Sequence, residues 1–185
     1  AGKSTTMRLV MGLLSPTAGQ VETFGSDPRQ NAQVRRRIGY LPGELTLFPS
    51  LSGRELVGRV ARIHGGVDPK VIDLLVDRLR VELDRPVRAL SKGNRQKVGL
   101  ILAFMHRPDL LVLDEPSSGL DPLLQQEFEQ LVRERVREGA TVFLSSHDLE
   151  EVDRDELVAV VGEWGGTVGG APALVLCGHT DVVPA

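Results

Sequence analysis

The sequence predicts an α/β fold in which helices flank a parallel sheet, with an all-helical insertion spanning about 51–106. Three observations lead there. LLVLDEP (110–116) is an apolar run ending in acids, as expected of a buried parallel strand with functional groups at its carboxyl end. TVFLSSH (141–147) reads as another buried strand. Between them, 123–138 is patterned as a helix and closes at Gly139, so strand, helix and strand follow with short connections. That succession is the right-handed parallel unit.

The remaining elements follow in order. Residues 5–14 read as a helix ended by Ser15-Pro16, and GQVETFGSDP as a short strand leaving through a turn punctuated by Gly25 and Pro28. The run Arg35-Arg36-Arg37 reads as a solvated helix end before RIGYL, a strand stopped by Pro42-Gly43. Leu56, Val60 and Ile63 share one face of a helix that starts near Ser52. Val71, Leu74, Leu75 and Leu79 do the same after the Asp68-Pro69 start signal. A third helix is expected from about Gly93 to His106.

Composition narrows the class. At 185 residues, 41% hydrophobic and 25% charged, the chain has the makeup of an ordinary globular protein with a sizeable core. A net charge of −3 provides no overall basic field, so no nucleic-acid partner is expected. The single cysteine, Cys177, rules out an internal disulfide and fits a reducing compartment. No apolar run approaches the ~20 residues that span a bilayer, so membrane contact is expected to pass through a partner.

The chemistry begins at the first residues. Ala1-Gly2-Lys3-Ser4-Thr5 matches the second half of the phosphate-binding pattern G-x-x-x-x-G-K-[ST]. Lys3 can reach nucleotide phosphates, Ser4 can ligate magnesium, and the helix N-terminus that follows favours anions. In LLVLDEPSSGLDP, Asp114 ends the strand where a carboxylate can hold magnesium, and Glu115 can polarise a water for attack on a γ-phosphate. A solvated strand end before a proline turn would explain the two acids, but not the second turn at 118–121. LSKGNRQKVGL places a turn at Ser91 before a helix whose free amides suit phosphate, although a plain serine cap reads equally well.

Together these residues resemble the ATP-binding-cassette (ABC) ATPase family over 1–152. LSKGNRQ resembles the LSGGQ-x-Q signature, with Lys92 and Asn94 at its third and fifth positions. LLVLDEP resembles the Walker B segment, SSGLD the D-loop, FLSSHDLEE the switch-histidine segment, and GYLPGEL lies where the family carries its Q-loop. The resemblance implies a P-loop NTPase core, ATP and Mg²⁺ as cofactors, and ATPase activity. It implies that Gly2, Lys3, Ser4 and Thr5 serve the phosphates and magnesium, that Asp114 supports the metal, that Glu115 is the general base and that His147 senses the γ-phosphate. It further implies a head-to-tail dimer in which Ser91, Gly93, Asn94 and Asp121 serve the ATP of the opposite subunit.

One position departs from the family. Where a glutamine usually ligates magnesium, this chain has Gly43, and the expectation is that Glu44 supplies the oxygen instead. SKGNRQK and YLPGEL together look most like ATPases that power drug or antibiotic exporters. That implies a separately encoded six-helix permease and a cytoplasmic location on the inner face of the membrane. The first glycine of the loop, the strand before it and the family's adenine-stacking aromatic are not in the sequence. Positioned donors are often worth ~10²–10³ in rate each, so this stretch alone is expected to be an impaired ATPase.

Beyond Glu151 the pattern weakens, and 153–170 reads either as the family's next strands or as a junction. The tail, 171–185, contains APALVLCGHTDVVPA, a strand that resembles the first metal-binding strand of zinc-dependent aminoacylase and deacetylase metallopeptidases. There His179 would ligate zinc and Asp181 would orient it. A catalytic zinc site takes about three protein ligands and an open position, so no peptidase activity is expected. The alternatives to a transporter ATPase are a truncated or fused remnant without useful activity, a non-transport ABC ATPase, and a zinc hydrolase.

Overall fold

The computed structural model describes residues 2–145 and 174–177. Four strands, β1 (Ile38–Leu41), β2 (Leu110–Asp114), β3 (Thr141–Ser145) and β4 (Leu174–Cys177), form one sheet in the order β1-β2-β3-β4. Every pairing is parallel, with Leu41 opposite Leu113 and Asp114 opposite Ser145. The helices are α1 (Lys3–Val10), α2 (Ala32–Arg36), α3 (Gly53–Ile63), α4 (Pro69–Leu79), α5 (Lys92–Phe104) and α6 (Pro122–Arg137).

Side-chain alternation explains why the sheet is covered on both sides. Leu41, Leu111, Leu113, Val142 and Leu144 point into the larger core with α3, α4, α5 and α6. Ile38, Leu110, Val112 and Phe143 point the other way, onto Met7 and Met11 at α1 and Val34 in α2. A strand buried on both faces needs an unbroken apolar run, and all five residues of β2 are buried.

Helix boundaries follow local chemistry. Ser52 and Glu55 form a reciprocal capping box at the start of α3, Asp68 caps α4 with Pro69 behind it, and Asp121 caps α6 with Pro122 behind it. At the end of α6, the Ala140 amide returns to Arg135 O at 3.0 Å. Within 51–106 the regular elements are α3, α4, α5 and a short 3₁₀ turn at Val87–Ala89.

Several local expectations differ from the structure. GQVETFGSDP forms no strand: Thr23 and Ser26 pair only with each other, around Phe24 and Gly25, both at positive φ. Such a turn closes two residues but offers no edge for a third. α1 ends at Val10 rather than Leu14. Ile63 and Leu74 are exposed, because the buried stripe runs through Leu56, Val57 and Ala61 in α3 and through Leu75 and Leu79 in α4. The arginine run is not simply solvated. Arg35 donates to Pro28 O and Arg29 O, while Arg37 pairs with Asp109 and lies over the Phe24 ring.

Candidate functional site

The parallel sheet presents the carboxyl ends of β2 and β3 side by side, and Asp114 and Ser145 are partners at that edge. Asp114 is buried, and its Oδ1 accepts a 2.5 Å hydrogen bond from the wholly buried Ser145 Oγ. That hydroxyl also accepts from the Glu115 amide at 3.1 Å, and Ser145 O accepts from the same amide at 3.2 Å. The backbone of Glu115 is therefore fixed from the β3 side.

Glu115 itself is half-buried and stands at φ 51°, a conformation that non-glycine residues rarely adopt. The turn aims its carboxylate toward the start of α1, where Lys3 Nζ lies 3.9 Å from Glu115 Oε1. The ammonium nitrogen is out of water and has no hydrogen bond within the protein. Ser4 is half-buried and Thr5 exposed on the same first turn, next to Gly2 at φ 94°. The cluster thus joins the N-terminus of a helix, a lysine lacking hydrogen-bond acceptors and two carboxylates.

Gly43 borders this cluster. A β-carbon built on it would lie 3.1 Å from Asp114 Oδ2, so the loop comes against the carboxylate because residue 43 has no side chain. Glu44 follows it and is exposed. Tyr40, at the end of β1, has its hydroxyl held above the ordinary tyrosine value by burial. The Asp114 charge acts in the same direction, and Arg8 opposes it.

Ser91, Gly93 and Asn94 stand on a different element, the first turn of α5. Ser91 Oγ caps the helix by accepting from the Asn94 amide at 3.1 Å. Gly93 is pressed against the 115–121 loop: a β-carbon there would meet Gly119 O at 2.7 Å. Asn94, expected to serve nucleotide, has its side chain on the 82 loop. Its Nδ2 donates to Glu82 O at 2.9 Å and its Oδ1 accepts from the Glu82 amide at 3.2 Å. A side-chain amide offers one acceptor and one donor side, matching the N–H and C=O of a single residue, which is why asparagine suits this place. Asp121 Oδ1 accepts from the Leu124 amide at 3.1 Å as the α6 cap. His147, His179 and Asp181 lie outside the described residues.

Two residues here were not singled out from sequence. Ser145 looked like an ordinary strand end, and only the strand register puts it opposite Asp114. Gln96 sits inside LSKGNRQ, and its signal was a polar residue on an otherwise apolar helical face; it is buried against the turn after β2.

The arrangement fits phosphates with a divalent cation. An ammonium nitrogen buried without acceptors is completed by phosphate oxygens. Among the described residues no group of three or more His, Cys, Asp or Glu could hold a metal. Mg²⁺ needs no such group, since it keeps waters and binds through one or two carboxylates plus phosphates. No described helix is long and apolar enough to cross a membrane.

The chain is similar to known proteins in sequence and in fold. The family model described as ABC transporter matches residues 1–118. An uncharacterized ABC transporter ATP-binding protein of Bacillus subtilis, YhaQ, is 37% identical over 158 residues, covering 83% of this chain and 52% of that protein. The bacitracin transport ATP-binding protein BcrA of Bacillus licheniformis is 37% identical over 166 residues, covering 88% of this chain and 54% of that protein. The chain therefore spans about half the length of these relatives. A solved ATP binding subunit of an ABC transporter superposes with a TM-score of 0.72 at 30% identity, over 80% of this chain and 65% of that one. A dimeric bacterial ABC transporter cassette, at 24% identity and TM-score 0.72, covers 80% of this chain and 71% of that one, and shares the fold.

Proposed function

The chain belongs to the ABC transporter family, as part of an ATPase domain of that family, and from that premise we propose that it binds and hydrolyses ATP to power export of a drug or other small molecule through a separately encoded permease. The observation that carries the reading is the buried Lys3 ammonium, without a hydrogen bond and 3.9 Å from Glu115 Oε1. Similarity to a relative named for bacitracin transport supports the export assignment.

ATP with Mg²⁺ supplies the labile phosphoanhydride and the counter-charge when bound. The chain's own residues do the rest. Lys3 donates to phosphate oxygens, and the first turn of α1, from Gly2 through Thr5, presents its amides to the same anion. Ser4 and Asp114 hold the cation, with Glu44 as a further oxygen from the 43–44 loop. Glu115 accepts the proton of the attacking water, a general-base contribution of typically ~10²–10⁴ in rate. Its position one residue past the end of β2 keeps it beside Asp114. His147 contacts the γ-phosphate and registers its loss.

Ser91, Gly93 and Asp121 meet the nucleotide held by a second ATPase subunit in a head-to-tail dimer. Asn94, at the fifth position of the same signature, also braces the 82 loop against α5. In the cell this assembly sits on the cytoplasmic face of the membrane through its permease. Titration calorimetry with Mg·ATP tests the reading, with Lys3→Ala as the control. Absence of heat at millimolar ATP would overturn it.

A further inference from the structure

Gln96 is 6% exposed, in the second turn of α5, with Val98, Leu100 and Ile101 buried just after it. An amide so placed costs free energy unless it finds partners. Its Nε2 donates to Glu115 O at 3.3 Å and to Pro116 O at 3.2 Å. Both partners are carbonyl oxygens, so only the amide nitrogen can face them. Those carbonyls belong to the turn that aims the Glu115 carboxylate at Lys3.

The turn needs holding. Glu115 stands at φ 51°, a backbone conformation that persists where surrounding contacts over-determine it. On one side, β3 binds the Glu115 amide through Ser145 O and Oγ. On the other, α5 binds the carbonyl through Gln96. The peptide units on both sides of Glu115 are thus clamped between a strand and a helix. A second contact couples the same two segments, because Gly93 lies against Gly119 O with no room for a β-carbon.

We propose that Gln96 is a positioning residue for the Glu115 base, and that through it α5 sets the alignment of that base. The proposal rests on the ATPase reading above. In that reading the first turn of α5 carries Ser91 and Gly93 to the ATP of the second subunit, one helical turn from Gln96. Seating that turn on the partner's nucleotide then passes through a single side chain to the base acting on this subunit's own nucleotide.

The test is a double-mutant cycle on the protein expressed from its native gene, in its dimeric, ATP-hydrolysing form. Gln96→Met keeps length and volume but removes both donated bonds. We expect turnover at saturating Mg·ATP to fall roughly 10- to 100-fold, since misplacing a reacting group by about 1 Å costs on the order of 10²-fold. ATP affinity should stay within about twofold, because Gln96 donates only to backbone carbonyls of the base's own turn. In a Glu115→Gln background the same change should have no further effect on residual turnover.

Equal losses in both backgrounds, or turnover per folded molecule unchanged by Gln96→Met, would overturn the proposal while leaving the ATPase reading intact. A wild type that binds no Mg·ATP overturns both. If Gln96→Met does not fold, Gln96→Glu carries the test. Its carboxylate repels the two carbonyls, and protonating it restores a donor, so turnover relative to wild type at the same pH should recover as pH falls. Loss without such recovery counts against the proposal.

Discussion

Lys3 Nζ and Glu115 Oε1 stand 3.9 Å apart across the carboxyl edge of the sheet, an ion pair too long to be a hydrogen bond. Both side chains are about one-fifth to one-quarter exposed, so water screens the pair only in part. On the reading proposed above, the lysine meets a phosphate oxygen and the carboxylate accepts a proton from water.

The two partners therefore predict opposite phenotypes. Lys3→Ala should weaken Mg·ATP binding about 10- to 100-fold by calorimetry, the worth of one or two charge-assisted hydrogen bonds. Glu115→Gln should leave binding intact and cut turnover by about 10²–10⁴. Equal loss of affinity in both variants would show that Glu115 acts as a ligand rather than as a base.

Ser145 makes a different prediction, because it serves two neighbours at once. Ser145→Ala removes the hydrogen bond to Asp114 Oδ1 and one of the two acceptors of the Glu115 amide. Leaving buried polar groups short of partners costs ~1–3 kcal/mol. A drop of that size in unfolding free energy is expected by denaturant titration. The Mg²⁺ concentration for half-maximal turnover should rise as well, since Asp114 loses the donor that orients it. Stability and Mg²⁺ dependence both unchanged would remove Ser145 from the site.

How much of this was legible in the sequence follows from the range of each interaction. Strand and helix identities in 110–145 were readable because burial on two faces forces an unbroken apolar run, and caps such as Ser52 and Asp121 act within one turn. The strand wrongly expected within 19–28 lacked only a partner, and pairing is not a local property. Ser145 escaped notice because its role depends on register with a strand thirty-one positions away. The motif position of Asn94 suggested nucleotide, but not the contact of its side-chain amide with the N–H and C=O of Glu82, twelve positions away.

The 43–44 loop predicts how magnesium is held where the family's glutamine is absent. Gly43→Ala places a β-carbon about 3.1 Å from Asp114 Oδ2, so either the loop or the carboxylate must shift by a few tenths of an ångström. We expect this substitution to raise the Mg²⁺ concentration for half-maximal turnover several-fold with little effect on stability, residue 43 being exposed. Glu44→Ala should raise it about tenfold, within the range for losing a group that supports a bound metal. Unaltered Mg²⁺ dependence in Glu44→Ala would show that Asp114 and Ser4 hold the ion without help.

The opposite end of the sheet predicts an acid sensitivity unrelated to nucleotide. His106 follows α5, and its Nε2 donates to Ile38 O at 3.3 Å. The ring stacks on His64, at the end of α3, with centroids 3.8 Å apart. Arg36 from α2, Arg107 and Asp68 line the same hollow, and Arg135 of α6 adds positive charge. Burial first, and then the neighbouring His64, push the His106 imidazole down to about 4. The unfolded chain, near 6.5, therefore takes up the proton first as pH falls. Stability contributed by the neutral ring is complete above about 6.5 and is lost progressively as pH drops toward about 4. His64 is lowered by burial too and acts in the same sense. Carboxylates held low, such as Glu55 and Asp84, respond mainly below their ordinary values of 4.5 and 3.8. Denaturation midpoints measured from pH 7 to about pH 4.5 thus isolate the histidines. His106→Gln should flatten the decline over that window, and an identical slope in the variant would show that the ring carries no such linkage.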